Sequence, residues 1–145
     1  MLATAIAHPN IALVKYWGKR DASRNVPAVG SISITLDTLT TTTSVSLDRD
    51  ASEDVFILDG ARNRGRAARV VRCLDLIRQH TSVAHHAVVE STNSFPTAAG
   101  LASSASGFAA LVVAADSALG CGLDRATLAG YARRCSGSAA RSLYG

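Results

Sequence analysis

The segment Phe95-Pro-Thr-Ala-Ala-Gly-Leu-Ala-Ser-Ser-Ala-Ser106 constrains this chain more than any other. It is a run of small residues that opens directly into an apolar helix, expected from about Ser104 to Leu119. Residues this small let a backbone approach a ligand closely, and Ser103 and Ser104 are good caps for a helix start. Unpaired N–H groups at a helix N-terminus, with the dipole behind them, favour a phosphate. The chain has no G-x-x-x-x-G-K-[ST] and no G-x-G-x-x-G after a strand, so it is neither a P-loop protein nor a dinucleotide-binding Rossmann unit. The same residues also fit a tight strand-to-helix turn with an ordinary cap. On this segment alone both readings stand.

A second segment, Asn10-Ile-Ala-Leu-Val-Lys-Tyr-Trp-Gly-Lys-Arg-Asp21, holds the single tryptophan and both lysines, Lys15 and Lys19; every other basic residue is arginine. Such a bias suggests that these two positions need a compact ammonium rather than a planar fork. Chance clustering beside an aromatic pair that anchors a core edge is the plainer alternative. A third segment, Cys135-Ser-Gly-Ser-Ala-Ala-Arg-Ser-Leu-Tyr-Gly145, gathers hydroxyls, a glycine and Arg141. It suits an oxyanion or phosphate clamp in which Arg141 gives a bidentate contact. A polar linker after a helix would have the same composition.

At 145 residues and 48% hydrophobic content the chain can bury one core, and a single domain is expected. No apolar run reaches the length of a bilayer span. The N-terminus has no basic region ahead of its apolar residues, which argues against a cleaved signal peptide. Cys73, Cys121 and Cys135 are odd in number and form no metal-ligand pattern; they read as reduced thiols of a cytoplasmic protein. The chain's net charge is +4, and the arginines between Arg62 and Arg78 are spread around a helix whose Val70, Cys73, Leu74 and Ile77 make the buried stripe. That is a solvated basic face, partly aimed at an anionic metabolite. No nucleic-acid-binding motif accompanies it.

Along the chain, one strand is expected from Thr4 to Leu13, and a polar, turn-rich stretch from Arg20 to Pro27. Ser31–Asp37 and Thr41–Leu47 alternate with period two and read as half-buried antiparallel strands. A short strand from Asp54 to Leu58 ends at the Asp59-Gly60 turn. A helix from about Arg64 to His80, a strand from Ala87 to Thr92, the long apolar helix, and a last helix from about Arg125 to Arg134 capped by Asp124 follow. This order argues for an α+β fold, a mainly antiparallel sheet with helices packed on it.

The three segments together closely resemble diphosphomevalonate decarboxylase, of the superfamily that includes galactokinase, homoserine kinase and mevalonate kinase. Pro96-x-x-x-Gly100-Leu-x-Ser-Ser-Ala105 is similar to the superfamily's phosphate loop. Lys15-Tyr-Trp-Gly-Lys19 and Ser136-Gly-Ser-Ala-x-Arg141-Ser-Leu-Tyr-Gly145 are narrower and resemble the decarboxylase branch. The resemblance implies the fold of that superfamily's N-terminal domain. It also implies ATP-dependent decarboxylation of (R)-5-diphosphomevalonate to isopentenyl diphosphate, with ATP and Mg2+ required. The alternatives are a related mevalonate or phosphomevalonate kinase or decarboxylase, or an inactive binding remnant.

Residue by residue, the resemblance implies that Tyr16, Trp17, Gly18 and Lys19 bind substrate, with Lys19 a point charge for the anion. Arg69 matches an arginine on the diphosphate. Ser136, Gly137, Ser138, Ala139 and Ala140 match a second substrate loop, and Arg141 matches the arginine that holds the carboxylate beside the reacting hydroxyl. Asn10 and Lys15 match positions near the reacting centre, and Gly100, Leu101, Ala102, Ser103 and Ser104 match the ATP phosphate loop. No metal ligand is implied. Two segments depart from the family pattern. Proline falls one place late in Ala7-His8-Pro9-Asn10, and Pro27-Ala-Val-Gly-Ser-Ile-Ser33 lacks the usual asparagine on what is expected to be the nucleotide side. His8 reads as structural. Family members are about twice this length, and their second domain supplies a catalytic aspartate that no aspartate of this chain matches. The chain thus resembles residues 1–145 of an N-terminal ATP- and substrate-binding domain whose parent is a homodimer without nucleic-acid or membrane partners.

Overall fold

The computed structural model describes residues 1–14, 18–96 and 103–144. A five-stranded sheet carries three helices on one face, as the α+β reading requires. Its strands are β1 (Leu2–Ala7), β6 (Thr41–Asp48), β9 (His86–Asn93), β7 (Val55–Leu58) and β8 (Ala61–Arg62), in that spatial order. All neighbours are antiparallel except β7 and β9. Two ribbons lie apart from it: β2 (Asn10–Val14) pairs with β5 (Ile32–Thr35), and β3 (Lys19–Asp21) pairs with β4 (Val26–Pro27).

The single strand expected over Thr4–Leu13 is therefore two strands in two sheets. Pro9 has no N–H to give a ladder, and the break falls at His8-Pro9. His8 is tied by its Nδ1 to the Leu39 carbonyl at 2.9 Å, in keeping with a structural histidine. The stretch taken as a polar turn holds the β3–β4 hairpin. There Asp21 accepts from the Ser23 hydroxyl and the Arg24 N–H, and Asn25 takes a left-handed φ of 54°. Asp59 and Gly60, at φ 49° and 82°, make the tight turn between β7 and β8 that their dipeptide promised.

Helix α2 (Ser103–Leu119) is central and buried along most of its surface. Its small residues are what let it lie so close to the sheet: Ala109 and Ala110 pack against Ala7 of β1. Because the helix starts at Ser103, Ser103 and Ser104 lie inside its first turn rather than ahead of it. Helix α1 (Arg64–Arg78) is capped by the Asn63 side chain on the Arg66 N–H, and α3 (Arg125–Cys135) by Asp124 on the Thr127 N–H. The three helices and the inner sheet face share one core around Val45, Leu74, Ile77, Val89 and Val112. Cys73 is fully buried in it.

Not every arginine of α1 belongs to a solvated face. Arg78 is mostly buried and pairs through both terminal nitrogens with Asp54, at 2.7 and 2.9 Å. Burial pushes the Asp54 carboxyl up, but Arg78 and the Ala87 N–H outweigh it and hold the group below the ordinary aspartate value. After α3 the chain turns into a 3-10 helix, Ala139–Leu143, packed against α2 and α3.

Candidate functional site

The two ends of the chain meet in one cluster. Asn10, at the start of β2, is 1% exposed, so each of its polar atoms must find a partner inside the protein. Its Nδ2 donates to the Ser138 carbonyl at 3.0 Å and the Ser142 hydroxyl at 2.8 Å. Its Oδ1 accepts from Arg141 Nε at 3.0 Å. Arg141 also donates from Nη1 to the Ser31 hydroxyl at 2.9 Å. Burial draws the Arg141 guanidinium below its ordinary value, though such a group stays charged at any working pH. The result is a cation fixed in a partly dry wall.

That wall faces a cavity of about 410 Å³ whose lining includes Gly18, Lys19, Asn25, Ser136, Ser138 and Arg141. Lys19 and Arg141 are cations on it, and the Ser136 and Ser138 hydroxyls add donors. A second, more open cavity of about 480 Å³ lies beyond and shares Ser31 and Arg141 with the first. Asn25 closes the hairpin over the loop, its Nδ2 donating to the Arg133 carbonyl at 2.8 Å. Gly137 sits directly beneath it, where a Cβ would come within 3.3 Å of that amide nitrogen. Glycine is what lets hairpin and loop approach.

Arg69 stands elsewhere. It donates to the Cys135 carbonyl at 2.7 Å and lies 5.0 Å from the centre of the Phe108 ring. It lines a narrow groove with Arg66, Ser103 and Ser104, on the α2 side of the Ser136 loop. That groove encloses about 50 Å³, room for a few waters and no purine base. The Ser136 hydroxyl donates to the Ser104 hydroxyl at 3.3 Å and so joins groove to cleft. The neighbouring Cys135 and burial push the Cys73 thiol up, while Cys73 lowers the Cys135 value.

Of the residues singled out in the sequence, the structure brings Gly18, Lys19, Ser136, Gly137, Ser138 and Arg141 together around the cleft. Ala140 lines its outer part, whereas Ala139 is fully buried and gives its methyl to the core. Asn10 reaches the cleft only through Arg141 and the loop it holds. Arg69, Ser103 and Ser104 share the neighbouring groove. Lys15, Tyr16, Trp17, Gly100, Leu101 and Ala102 lie outside the described residues. Ser31 and Asn25 escaped the sequence reading. The Pro27–Ser33 segment places the Ser31 hydroxyl on Arg141.

Among curated relatives, the phosphomevalonate decarboxylase of Haloferax volcanii is 42% identical over 146 residues, covering 100% of this chain and 45% of that protein. The diphosphomevalonate decarboxylase of Eremothecium gossypii is 43% identical over 161 residues, covering 99% of this chain and 40% of that protein. The chain thus spans less than half the length of either. Among solved structures, the mevalonate diphosphate decarboxylase from Enterococcus faecalis superposes with a TM-score of 0.88 at 50% identity, over 97% of this chain and 44% of that one. Another, described in complex with MVAPP, AMPPCP and magnesium, also scores 0.88 at 50% identity, over 97% of this chain and 43% of its own. The family model for the diphosphomevalonate decarboxylase-like N-terminal domain matches residues 7–145, from the strand before Asn10 through the Arg141 segment. The cluster that joins the chain's two ends is thus contained in the matched span, and the chain belongs to the diphosphomevalonate decarboxylase-like N-terminal domain family.

Proposed function

We propose that residues 1–145 form the ATP- and substrate-binding N-terminal domain of a cytoplasmic, homodimeric enzyme that decarboxylates (R)-5-diphosphomevalonate to isopentenyl diphosphate. The observation that carries this reading is Arg141, held by Asn10 and Ser31 at the edge of a cleft that also presents Lys19 and the Ser136–Ser138 loop. A substrate with a diphosphate at one end and a carboxylate at the other needs two separated cationic contacts, one of them planar. Lys19 and Arg141 fit that pair.

In this reading Arg141 receives the carboxylate and keeps it beside the tertiary C3 hydroxyl, while Lys19 and the loop hydroxyls hold the diphosphate. ATP supplies the phosphoryl group that turns that hydroxyl into a leaving group. As phosphate departs, the electron pair of the C–carboxylate bond becomes the new C=C bond and CO2 is released. Positive charge developing at C3 is favoured by orientation and by the fixed carboxylate more than by any covalent partner in this domain. Ser103, Ser104 and the first turn of α2, with Arg66 beside them, are suited to ATP phosphates, and Arg69 in the same groove to the substrate diphosphate. Among the described residues no group of three or more His, Cys, Asp or Glu gathers to cage a metal. Mg2+ would be brought by the nucleotide and would supply charge neutralisation for its phosphates beside Ser103 and Ser104. Among the described residues no helix is long and apolar enough to cross a membrane.

The 42% identity to a phosphomevalonate decarboxylase over the full chain favours one second reading, the monophosphorylated substrate. Carboxylate-labelled 5-phosphomevalonate and 5-diphosphomevalonate, each offered with ATP to a full-length enzyme carrying this domain, separate the two. Labelled CO2 from the diphosphate alone is expected. Release from the monophosphate alone moves the substrate, and ADP formation without CO2 moves the assignment to a kinase.

A further inference from the structure

The Arg141 side chain stands on a single 3-10 turn, a poor platform for a long, flexible cation. Two of its three nitrogens are nevertheless engaged, Nε by Asn10 and Nη1 by Ser31, while Nη2 has no protein partner among the described residues. Ser31 lies just before β5 and lines both cavities that flank the guanidinium. Its oxygen accepts from Arg141, so its own hydrogen remains to be donated. A partly buried Nη1 stripped of that acceptor would swing toward water or toward the carbonyls of its own loop.

We propose that Ser31 is a positioning residue for Arg141: together with Asn10 it locks the guanidinium plane so that only the Nη2 edge meets the substrate carboxylate. The Ser31 hydroxyl, its oxygen engaged by Arg141, keeps its hydrogen available as a second, neutral donor on the cavity wall. Asn10 alone cannot fix the plane, because one hydrogen bond at Nε leaves the side chain free to pivot about it. Ser31 supplies the second point and so sets the angle at which the carboxylate is received. The proposal rests on the reading of Arg141 as the carboxylate's partner.

Two measurements test it. In a full-length enzyme carrying this domain, Ser31→Ala should lower kcat for CO2 release by about tenfold or more, as expected for a lost hydrogen bond to a charged group. The KM for ATP should stay within about twofold and the melting temperature should not move. Ser31→Thr, which keeps the oxygen, should recover most of the turnover. In the 145-residue chain itself, the 15N-detected Arg141 Nε–H should exchange with water faster in Ser31→Ala than in the native chain and in Ser31→Thr. Native kcat in Ser31→Ala, or equal damage in the Ala and Thr variants, overturns the proposal. So does an unchanged Arg141 exchange rate. An unsubstituted enzyme that releases no CO2 defeats the decarboxylase reading, and the exchange measurement then decides the Ser31–Arg141 lock separately.

Discussion

In the proposed reading Arg141 uses both its charge and its planar shape. Arg141→Lys keeps the charge, but an ammonium cannot satisfy the Asn10 and Ser31 acceptors and still present two parallel N–H groups. Turnover of the full-length enzyme should fall by about 100-fold, the scale of a misplaced reacting group, with ATP affinity changed far less. Steady-state kinetics with both substrates varied gives the two numbers. Gly137 makes a sterner local prediction. Gly137→Ala would press a methyl against the Asn25 amide and should cost about 1 kcal/mol of stability. Asn25→Ala in the same chain should return part of that loss, so a double-mutant cycle by denaturant unfolding should show coupling. Arg141 and Gly137 were legible from sequence because they sit in a contiguous motif. Ser31 was not, since its meaning comes from a partner 110 positions away.

At the level of elements, α1 is anchored at both ends by side chains, Asn63 at its start and Arg78 at its finish. The Arg78–Asp54 pair joins the helix to the edge of β7, and Asp54 also accepts from the Ala87 N–H, so one carboxylate holds three elements. Its folded value is depressed below the roughly 3.9 of an unfolded aspartate. Its contribution to stability is therefore present above that unfolded value and is lost as pH falls through the folded one. Asp54→Asn should lower stability at neutral pH by about 3 kcal/mol, as removal of one partner of a buried pair does. It should also flatten the acid limb of a melting-temperature profile, which scanning calorimetry from pH 7 down to 3 would show. Periodicity and capping signals foretold α1, β9, α2 and α3 because each follows from local pattern. The split of β1 from β2 was missed because the expected strand runs through Pro9, and the sheet partners show the change.

On the scale of the whole molecule, several large apolar side chains are exposed. Leu2, Ile6, Leu13, Ile32, Ile34 and Tyr144 are each half or more exposed, on β1, on the β2–β5 ribbon and after the 3-10 helix. Exposed apolar area of this kind favours association. The purified 145-residue chain should show a scattering mass that rises with concentration, and Ile6→Lys with Ile32→Lys should reduce the rise. Under the proposed function the isolated chain should also form no ADP with substrate present, since it spans less than half the length of its relatives. The Asn10–Arg141 bond spans 131 positions, and it bears on synthesis as well as on chemistry. Loops that long close late. A ribosome releases β1, β6 and β9 well before the Ser136–Leu143 stretch, so the sheet can be assembled while Asn10 still waits for its acceptor and its cation. The Arg141 cluster is then completed only after the sheet, and an intermediate held at that stage would carry a finished scaffold without its fixed cation.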